Sequence, residues 1–62
     1  MARYVIQDKL TGNYVFSFEE KYESVSYTSD KAIAARFPLR SFASNMIEDF
    51  DLEGHELVQV RD

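Results

Sequence analysis

The sequence predicts a small α+β domain in which an antiparallel sheet of about four strands packs one face against an amphipathic helix and a shorter helix. The chain has 62 residues, which is enough for one compact domain, residues 1–62. Its first half contains three short segments of β-forming residues, and its second half contains an apolar stripe at helical spacing. The predicted order of elements is β-β-β-α-α-β.

The predicted strands share β-branched and aromatic residues bounded by turn formers. They cover residues 2–7, 14–18, 24–28 and 56–61. Between the first two strands, Gly12 and Asn13 tolerate the positive φ that a tight hairpin needs. Alternation in the second strand places Phe16 and Phe18 on the core side and Val15 on the other side. We expect the last strand to lie beside the first.

Two helices are predicted before the last strand. Asp30 offers N-cap chemistry to a short helix over residues 31–36, and Pro38 ends it by disfavouring helical geometry at Phe37. The second helix begins at Pro38, and Gly54 ends it. Its apolar residues follow a helical period and are Leu39, Phe42, Ala43, Met46, Ile47 and Phe50. We expect this stripe to seal the core.

Composition narrows the classes of function. The sequence has no cysteine, which favours an intracellular protein and excludes disulfide or thiolate chemistry. The first residues do not form a signal peptide, and no apolar run approaches the ~20 residues of a membrane span. We therefore expect a cytoplasmic protein without a membrane partner. A net charge of -4 argues against general affinity for nucleic-acid phosphates.

Groups for catalysis or cofactor binding are scarce. The single histidine, His55, follows Gly54 in an acidic turn, and we interpret it as solvated. There is no glycine-rich phosphate loop and no cysteine or histidine pair. Residues 49–54 imitate part of a calcium loop but lack its terminal glutamate at the required offset. The sequence predicts no enzyme, no cofactor and no metal site.

Acidic residues gather where the second helix is predicted to end. We call these residues the acidic cluster: Glu48, Asp49, Asp51 and Glu53. The helix dipole disfavours each such charge by about 0.3–1 kcal/mol, and no lysine or arginine lies between Arg40 and Arg61 to compensate. Two interpretations stay open. The cluster attracts a basic partner or imitates nucleic-acid phosphates, or it is a solvated face that keeps the protein in solution.

The aromatic residues, 4 tyrosines and 5 phenylalanines, are more than so small a core can hold. Exposed Tyr22 and Tyr27 are therefore predicted to contact a partner protein together with the acidic cluster. One alternative is a nucleic-acid-binding regulator that uses the sheet aromatics and four arginines. These are Arg3, Arg36, Arg40 and Arg61. Another is a self-associating module that pairs copies through the edge strand at residues 24–28.

Five short motifs give the sequence a recognisable layout. They are Tyr-Val-Ile at 4–6, Thr-Gly-Asn-Tyr at 11–14, Thr-Ser-Asp at 28–30, Ala-Ala-Arg-Phe at 34–37 and Glu-Leu-Val-Gln-Val at 56–60. In this layout the chain resembles small accessory proteins of bacteriophages. The resemblance implies a protein that binds a bacterial host protein and inhibits or redirects it, in acidic examples by imitating DNA. Our leading hypothesis is such a protein-binding modulator.

Overall fold

The computed structural model describes residues 2–61. Its strands are β1 (Ala2–Asp8), β2 (Tyr14–Glu19), β3 (Ser24–Thr28) and β4 (His55–Arg61). Between β3 and β4 lies the one α-helix of the described residues, α1 (Arg40–Asp49). Two single 3₁₀ turns complete the structure, at Glu20–Tyr22 and Lys31–Ile33. The predicted α+β class, with a small antiparallel sheet and an amphipathic helix, is confirmed.

The four strands form one antiparallel sheet in the order β3-β2-β1-β4. β4 pairs with β1 along its whole length, from Ala2 opposite Arg61 to Asp8 opposite His55. This confirms that the last strand lies beside the first. It leaves β3 and β4 at the two edges of the sheet.

β1 and β2 diverge after a single residue pair next to their hairpin. An extended stretch, residues 34–37, fills the gap, and we call it the wedge segment. Ala35 N–H donates to the Val15 carbonyl of β2 at 3.0 Å. Phe37 exchanges two backbone hydrogen bonds, of 2.8 and 3.0 Å, with Tyr4 of β1. The wedge segment therefore satisfies backbone groups on both strands.

The wedge segment replaces most of the predicted short helix. Asp30 does cap this element, because its carboxylate accepts the Ala32 N–H at 2.9 Å. The 3₁₀ turn nevertheless ends at Ile33, where the chain becomes extended, so the prediction of a helix over residues 31–36 is wrong. Pro38 disfavours helix in the residue before it, and hydrogen bonds to the sheet replace those of the helix. α1 begins at Arg40, two residues later than predicted.

β2 contains an irregularity that moves its side chains. The register with β3 shifts between Val15 and Ser17, which is the mark of a β-bulge. Val15 and Phe18 consequently both join the cluster beneath α1, while Phe16 is 47% exposed. The prediction that Phe18 lies in the core is confirmed. The prediction from strict alternation that Phe16 is buried and Val15 exposed is wrong.

The core has two parts, one on each face of the sheet. Ile6 packs with Ala43 of α1, and Val5 packs with Ala34 and Val60. Successive residues of a strand point to opposite faces, so α1 covers one face and the wedge segment begins on the other. The segment after β3 therefore begins on the face opposite α1. It then passes through the gap between β1 and β2 to reach the helix.

Four residues of the predicted apolar stripe on α1 are buried or half-buried. They are Ala43, Met46, Ile47 and Phe50. Leu39 and Phe42, in contrast, are 53% and 49% exposed, so the prediction that they seal the core is wrong. Leu39 precedes the helix in an extended conformation, and Phe42 lies on the flank of α1. No helix among residues 2–61 is long and apolar enough to cross a membrane.

Candidate partner-binding surface

The acidic cluster occupies a short stretch, residues 48–53, and all four of its side chains are exposed. It begins in the last turn of α1 and continues in the turn that leads to β4. Within residues 2–61, no three acidic or histidine side chains are placed to hold a metal ion. The arrangement is therefore a concentrated negative surface with an ordered backbone beneath it.

The backbone beneath the acidic cluster forms a Schellman motif. Leu52 N–H donates to the Ile47 carbonyl at 3.0 Å, and Asp51 N–H donates to the Glu48 carbonyl at 3.2 Å. Asp51 adopts a left-handed conformation with φ of 50°, at the position where glycine is common. The prediction that Gly54 ends the helix is corrected. Gly54, with φ of 71°, forms the later turn into β4.

The left-handed conformation of Asp51 is strained. A left-handed residue with a side chain costs roughly 1–2 kcal/mol, and the carboxylate also opposes the negative end of the helix dipole. α1 has no basic residue in its last turn and no acidic residue in its first turn. The charges of the helix are thus arranged against its dipole at both ends.

Tyr27 is linked through His55 to the backbone of Glu53 in the acidic cluster. The Tyr27 hydroxyl oxygen is 2.8 Å from His55 Nε2, and the two rings are 5.8 Å apart. His55 Nδ1 lies 2.7 Å from the Glu53 carbonyl oxygen. A carbonyl only accepts, so Nδ1 carries the proton, and Nε2 of the neutral ring accepts from the tyrosine hydroxyl. His55 is half-buried and doubly bonded, which corrects its interpretation as a solvated residue.

The surroundings keep the Tyr27 hydroxyl protonated. Burial raises the pKa of Tyr27, and the negative charge of Asp8 raises it further. Asp8 lies opposite His55 in the pairing of β1 with β4, which explains its proximity. The hydroxyl therefore remains a hydrogen-bond donor to His55, while the Tyr27 side chain is still 40% exposed.

Tyr22 belongs to a different part of the surface. It is 71% exposed in the turn before β3, and the ammonium of Lys21 lies 5.5 Å from the centre of its ring. β3 separates Tyr22 from Tyr27, a length of about 16 Å for a five-residue strand at 3.3 Å per residue. The structure therefore links Tyr27 through His55 to the backbone of the acidic cluster but leaves Tyr22 at the other end of β3.

Three of the four arginines of the nucleic-acid alternative, Arg3, Arg40 and Arg61, lie towards the opposite end of the sheet from Asp8 and His55. Arg3 and Arg61 lie on the paired ends of β1 and β4. The Arg40 guanidinium lies 6.0 Å from the ring centre of Tyr4, a cation–π contact. Arg36 donates from Nη1 to three backbone carbonyls of the preceding segment. The guanidinium groups of Arg36 and Arg40 thus both have partners within the chain.

Several exposed apolar residues were not part of the sequence-based site. Leu10, Phe16, Ile33, Leu39 and Phe42 are all at least 47% exposed. Three of them were expected in the core, since periodicity alone assigned them there. The bulge in β2 exposes Phe16, the late start of α1 leaves Leu39 outside the helix, and Phe42 lies on the exposed flank of α1.

Comparison with known proteins finds no matching family model, no matching curated sequence and no matching solved structure. The fold and site by themselves define a small antiparallel α+β domain with an acidic helix end and a hydrogen-bonded Tyr-His pair beside it.

Proposed function

We propose that this chain is a non-enzymatic protein-binding module that docks a basic surface through the acidic cluster and Tyr27. In keeping with its resemblance to bacteriophage accessory proteins, its partner is a bacterial host protein, which it inhibits or redirects in the host cytoplasm. The observation that carries this proposal is the position of Tyr27. Its hydroxyl is bonded to His55, which in turn bonds the backbone carbonyl of Glu53 in the acidic cluster, and its ring is partly exposed.

An aromatic ring held next to fixed charges is typical of the residues that dominate binding energy at interfaces. Because the Tyr27 hydroxyl already has a partner, a docked protein meets the ring without having to satisfy an additional donor. The ring contributes apolar contact area, and the neighbouring carboxylates contribute selectivity for lysine and arginine.

The acidic cluster is also preorganised. Two backbone hydrogen bonds close the end of α1, and His55 bonds the carbonyl of Glu53. A surface ordered before binding loses less conformational entropy when a partner docks. The concentrated negative charge also speeds the encounter with a basic surface. A protein that imitates a phosphate backbone needs this property.

A pull-down from bacterial lysate with two isosteric variants tests the proposal. The first neutralises the acidic cluster by Glu48→Gln, Asp49→Asn, Asp51→Asn and Glu53→Gln. The control makes the same change of charge at four other exposed glutamates, by Glu19→Gln, Glu20→Gln, Glu23→Gln and Glu56→Gln. We expect a specific partner to be lost with the first variant and retained with the control. A partner retained equally by both removes the acidic cluster from the proposal.

The nucleic-acid alternative has one supporting observation, the position of Arg3, Arg40 and Arg61 near Tyr4 at one end of the sheet. It requires binding to single-stranded DNA or RNA that weakens steeply with salt. A mobility-shift series at low salt without binding eliminates it.

A further inference from the structure

The two edge strands of the sheet differ in charge. β4 contains Glu56 and Arg61, whereas β3 contains no acidic residue, no lysine or arginine and no proline. Charged side chains and proline are the usual protection of an exposed edge against pairing with another strand. The extra residue of the bulge is Phe16 of β2, so β3 itself pairs without interruption. β3 is therefore a regular edge without the usual protection.

The outer side of β3 presents backbone groups to solvent. Within residues 2–61, β2 is the only strand that pairs with β3. Alternate residues of an antiparallel strand direct their N–H and C=O groups to opposite sides, so one set of these groups in β3 points away from β2. The Tyr27 ring does not lie over them, because its hydroxyl reaches His55 on the other edge strand. A row of donors and acceptors with this spacing fits one kind of occupant, a further β-strand.

We propose that this edge binds the β3 strand of a second copy, in the antiparallel direction and about a two-fold axis at Ser26. In this register Ser26 faces its own counterpart, and Ser24 faces Thr28 of the other copy. Val25 likewise faces Tyr27 of the other copy. Two four-stranded sheets thereby join into one continuous sheet.

The side chains of β3 complement a second β3 strand on both faces of the sheet. On the face of α1, Val25 meets Tyr27, a β-branched residue beside an aromatic one, which is a favourable cross-strand pair. The other face carries hydroxyl groups. Ser26 Oγ lies 2.6 Å from Ser17 Oγ of β2, and a hydroxyl both donates and accepts. Ser26 can therefore extend this hydrogen bond to its counterpart in the second copy.

The register and the number of copies also follow from β3. Only the register centred on Ser26 pairs all five residues of the strand with β3 of the second copy. The strand is about 16 Å long at 3.3 Å per residue, so the interface is small and the dimer is weak and concentration-dependent. The outer edges of the joined sheet are then the two β4 strands, whose charges oppose further addition.

The dimer is independent of the proposed function. No residue of the acidic cluster lies on β3, so the dimer presents two acidic clusters. Association of the purified protein and capture of a partner protein are separate measurements. Either proposal can therefore fail while the other holds.

Sedimentation velocity over micromolar to millimolar concentration tests the dimer. We expect the wild type to pass from monomer to dimer. Ser26→Lys should raise the dissociation constant about tenfold or more, because two like charges then face each other at the axis. The matched control Gln59→Lys adds the same charge at an exposed position of the other edge strand and should leave the dissociation constant unchanged. Far-ultraviolet circular dichroism checks that each variant is folded.

Single cysteines test the register, since the chain has none of its own. Ser26→Cys places two thiols opposite each other at the axis, within the span of a disulfide, and diamide should convert this variant to a covalent dimer. Ser24→Cys is the matched control, because Ser24 is equally exposed. Its thiol lies about 13 Å along the strand from its counterpart, too far for a disulfide, so this variant should stay largely monomeric.

Three results overturn the proposal. The first is a wild-type monomer at every concentration. The second is a dimer that persists in folded Ser26→Lys or is broken by Gln59→Lys, which would place the contact outside β3. The third is a covalent dimer that forms as readily with Ser24→Cys as with Ser26→Cys, which would exclude the two-fold axis at Ser26.

Discussion

The hydroxyl of Tyr27 lies 2.8 Å from Nε2 of His55, although the two residues belong to the opposite edge strands of the sheet. In a flat sheet, two strands would hold them apart. The contact lies near the hairpin that joins β1 to β2, since His55 pairs with Asp8 of β1 and Tyr27 pairs with Val15 of β2. This hydrogen bond connects the edges of the sheet and orders the surface that we propose for binding.

Replacing Tyr27 by phenylalanine removes this hydroxyl and leaves the ring in place. We expect the free energy of unfolding to fall by about 0.5–1.5 kcal/mol, the usual net value of one hydrogen bond. Urea denaturation measures it. Tyr22→Phe is the matched control, since Tyr22 is 71% exposed and should tolerate the change. Equal stability of Tyr27→Phe and wild type would show that the bond does not connect the edge strands in solution.

The left-handed conformation of Asp51 leads to a stabilising substitution. Asp51→Gly should raise the free energy of unfolding by about 1 kcal/mol, because glycine adopts φ of 50° without strain. For a domain of this size, the melting temperature should rise by about 4–8 °C. Asp49→Gly, which removes the same charge inside α1 but relieves no left-handed strain, should raise stability less than Asp51→Gly does, because glycine also lowers helix propensity there. A loss of stability with Asp51→Gly contradicts the helix end described above.

The reversed charges of α1 imply that a basic residue near its end is favourable. Glu48→Lys should stabilise the fold by about 0.3–1 kcal/mol at low ionic strength, and added salt should reduce the gain. Ser44→Lys, in the middle of the helix, is the control for a new lysine without a dipole contribution. Chemical denaturation of both variants at two salt concentrations separates the dipole contribution from the effect of a new lysine alone. If both lysines have the same effect, the helix dipole is not the cause.

The raised pKa of Tyr27 affects stability at alkaline pH. Its folded pKa lies above the ordinary value of 10.0, so the folded state holds the proton more strongly than the unfolded chain does. The stability from this group is complete below pH 10.0 and is lost as the pH rises through the folded pKa. The difference in stability between wild type and Tyr27→Phe should therefore decrease above that pH.

Spectrophotometric titration of tyrosinate checks this directly. Tyr27→Phe should remove a tyrosine transition with a pKa above the ordinary value of 10.0. Asp8→Asn should lower the pKa of Tyr27, since the negative charge of Asp8 contributes to the shift. An unchanged Tyr27 titration in Asp8→Asn would exclude that charge as a cause.

Local patterns were sufficient for part of the fold. Alternation and turn residues predicted the strands, including β3 with its observed bounds, and the cap at Asp30 was correct. They failed at Phe16 and residues 34–36, where a bulge and an open gap between strands change the structure. Neither feature leaves a local signature, because each depends on what lies across the sheet.

The sequence likewise predicted only part of the candidate site. The acidic cluster and the exposure of Tyr22 and Tyr27 followed from the sequence, since charged residues on a short helix end and surplus aromatics have few other places to lie. The pairing of Tyr27 with His55 did not follow, because the residues are far apart in the chain and on strands that are not neighbours.

Taken alone, the sequence determined the fold class, the strand segments, the amphipathic helix and the concentration of negative charge, all of which depend on neighbours in the chain. Tertiary structure decided which face of the sheet each apolar residue covers, where α1 begins and which tyrosine joins the acidic cluster. These depend on contacts between residues far apart in the chain, such as the hydrogen bonds by which the wedge segment satisfies backbone groups of β1 and β2.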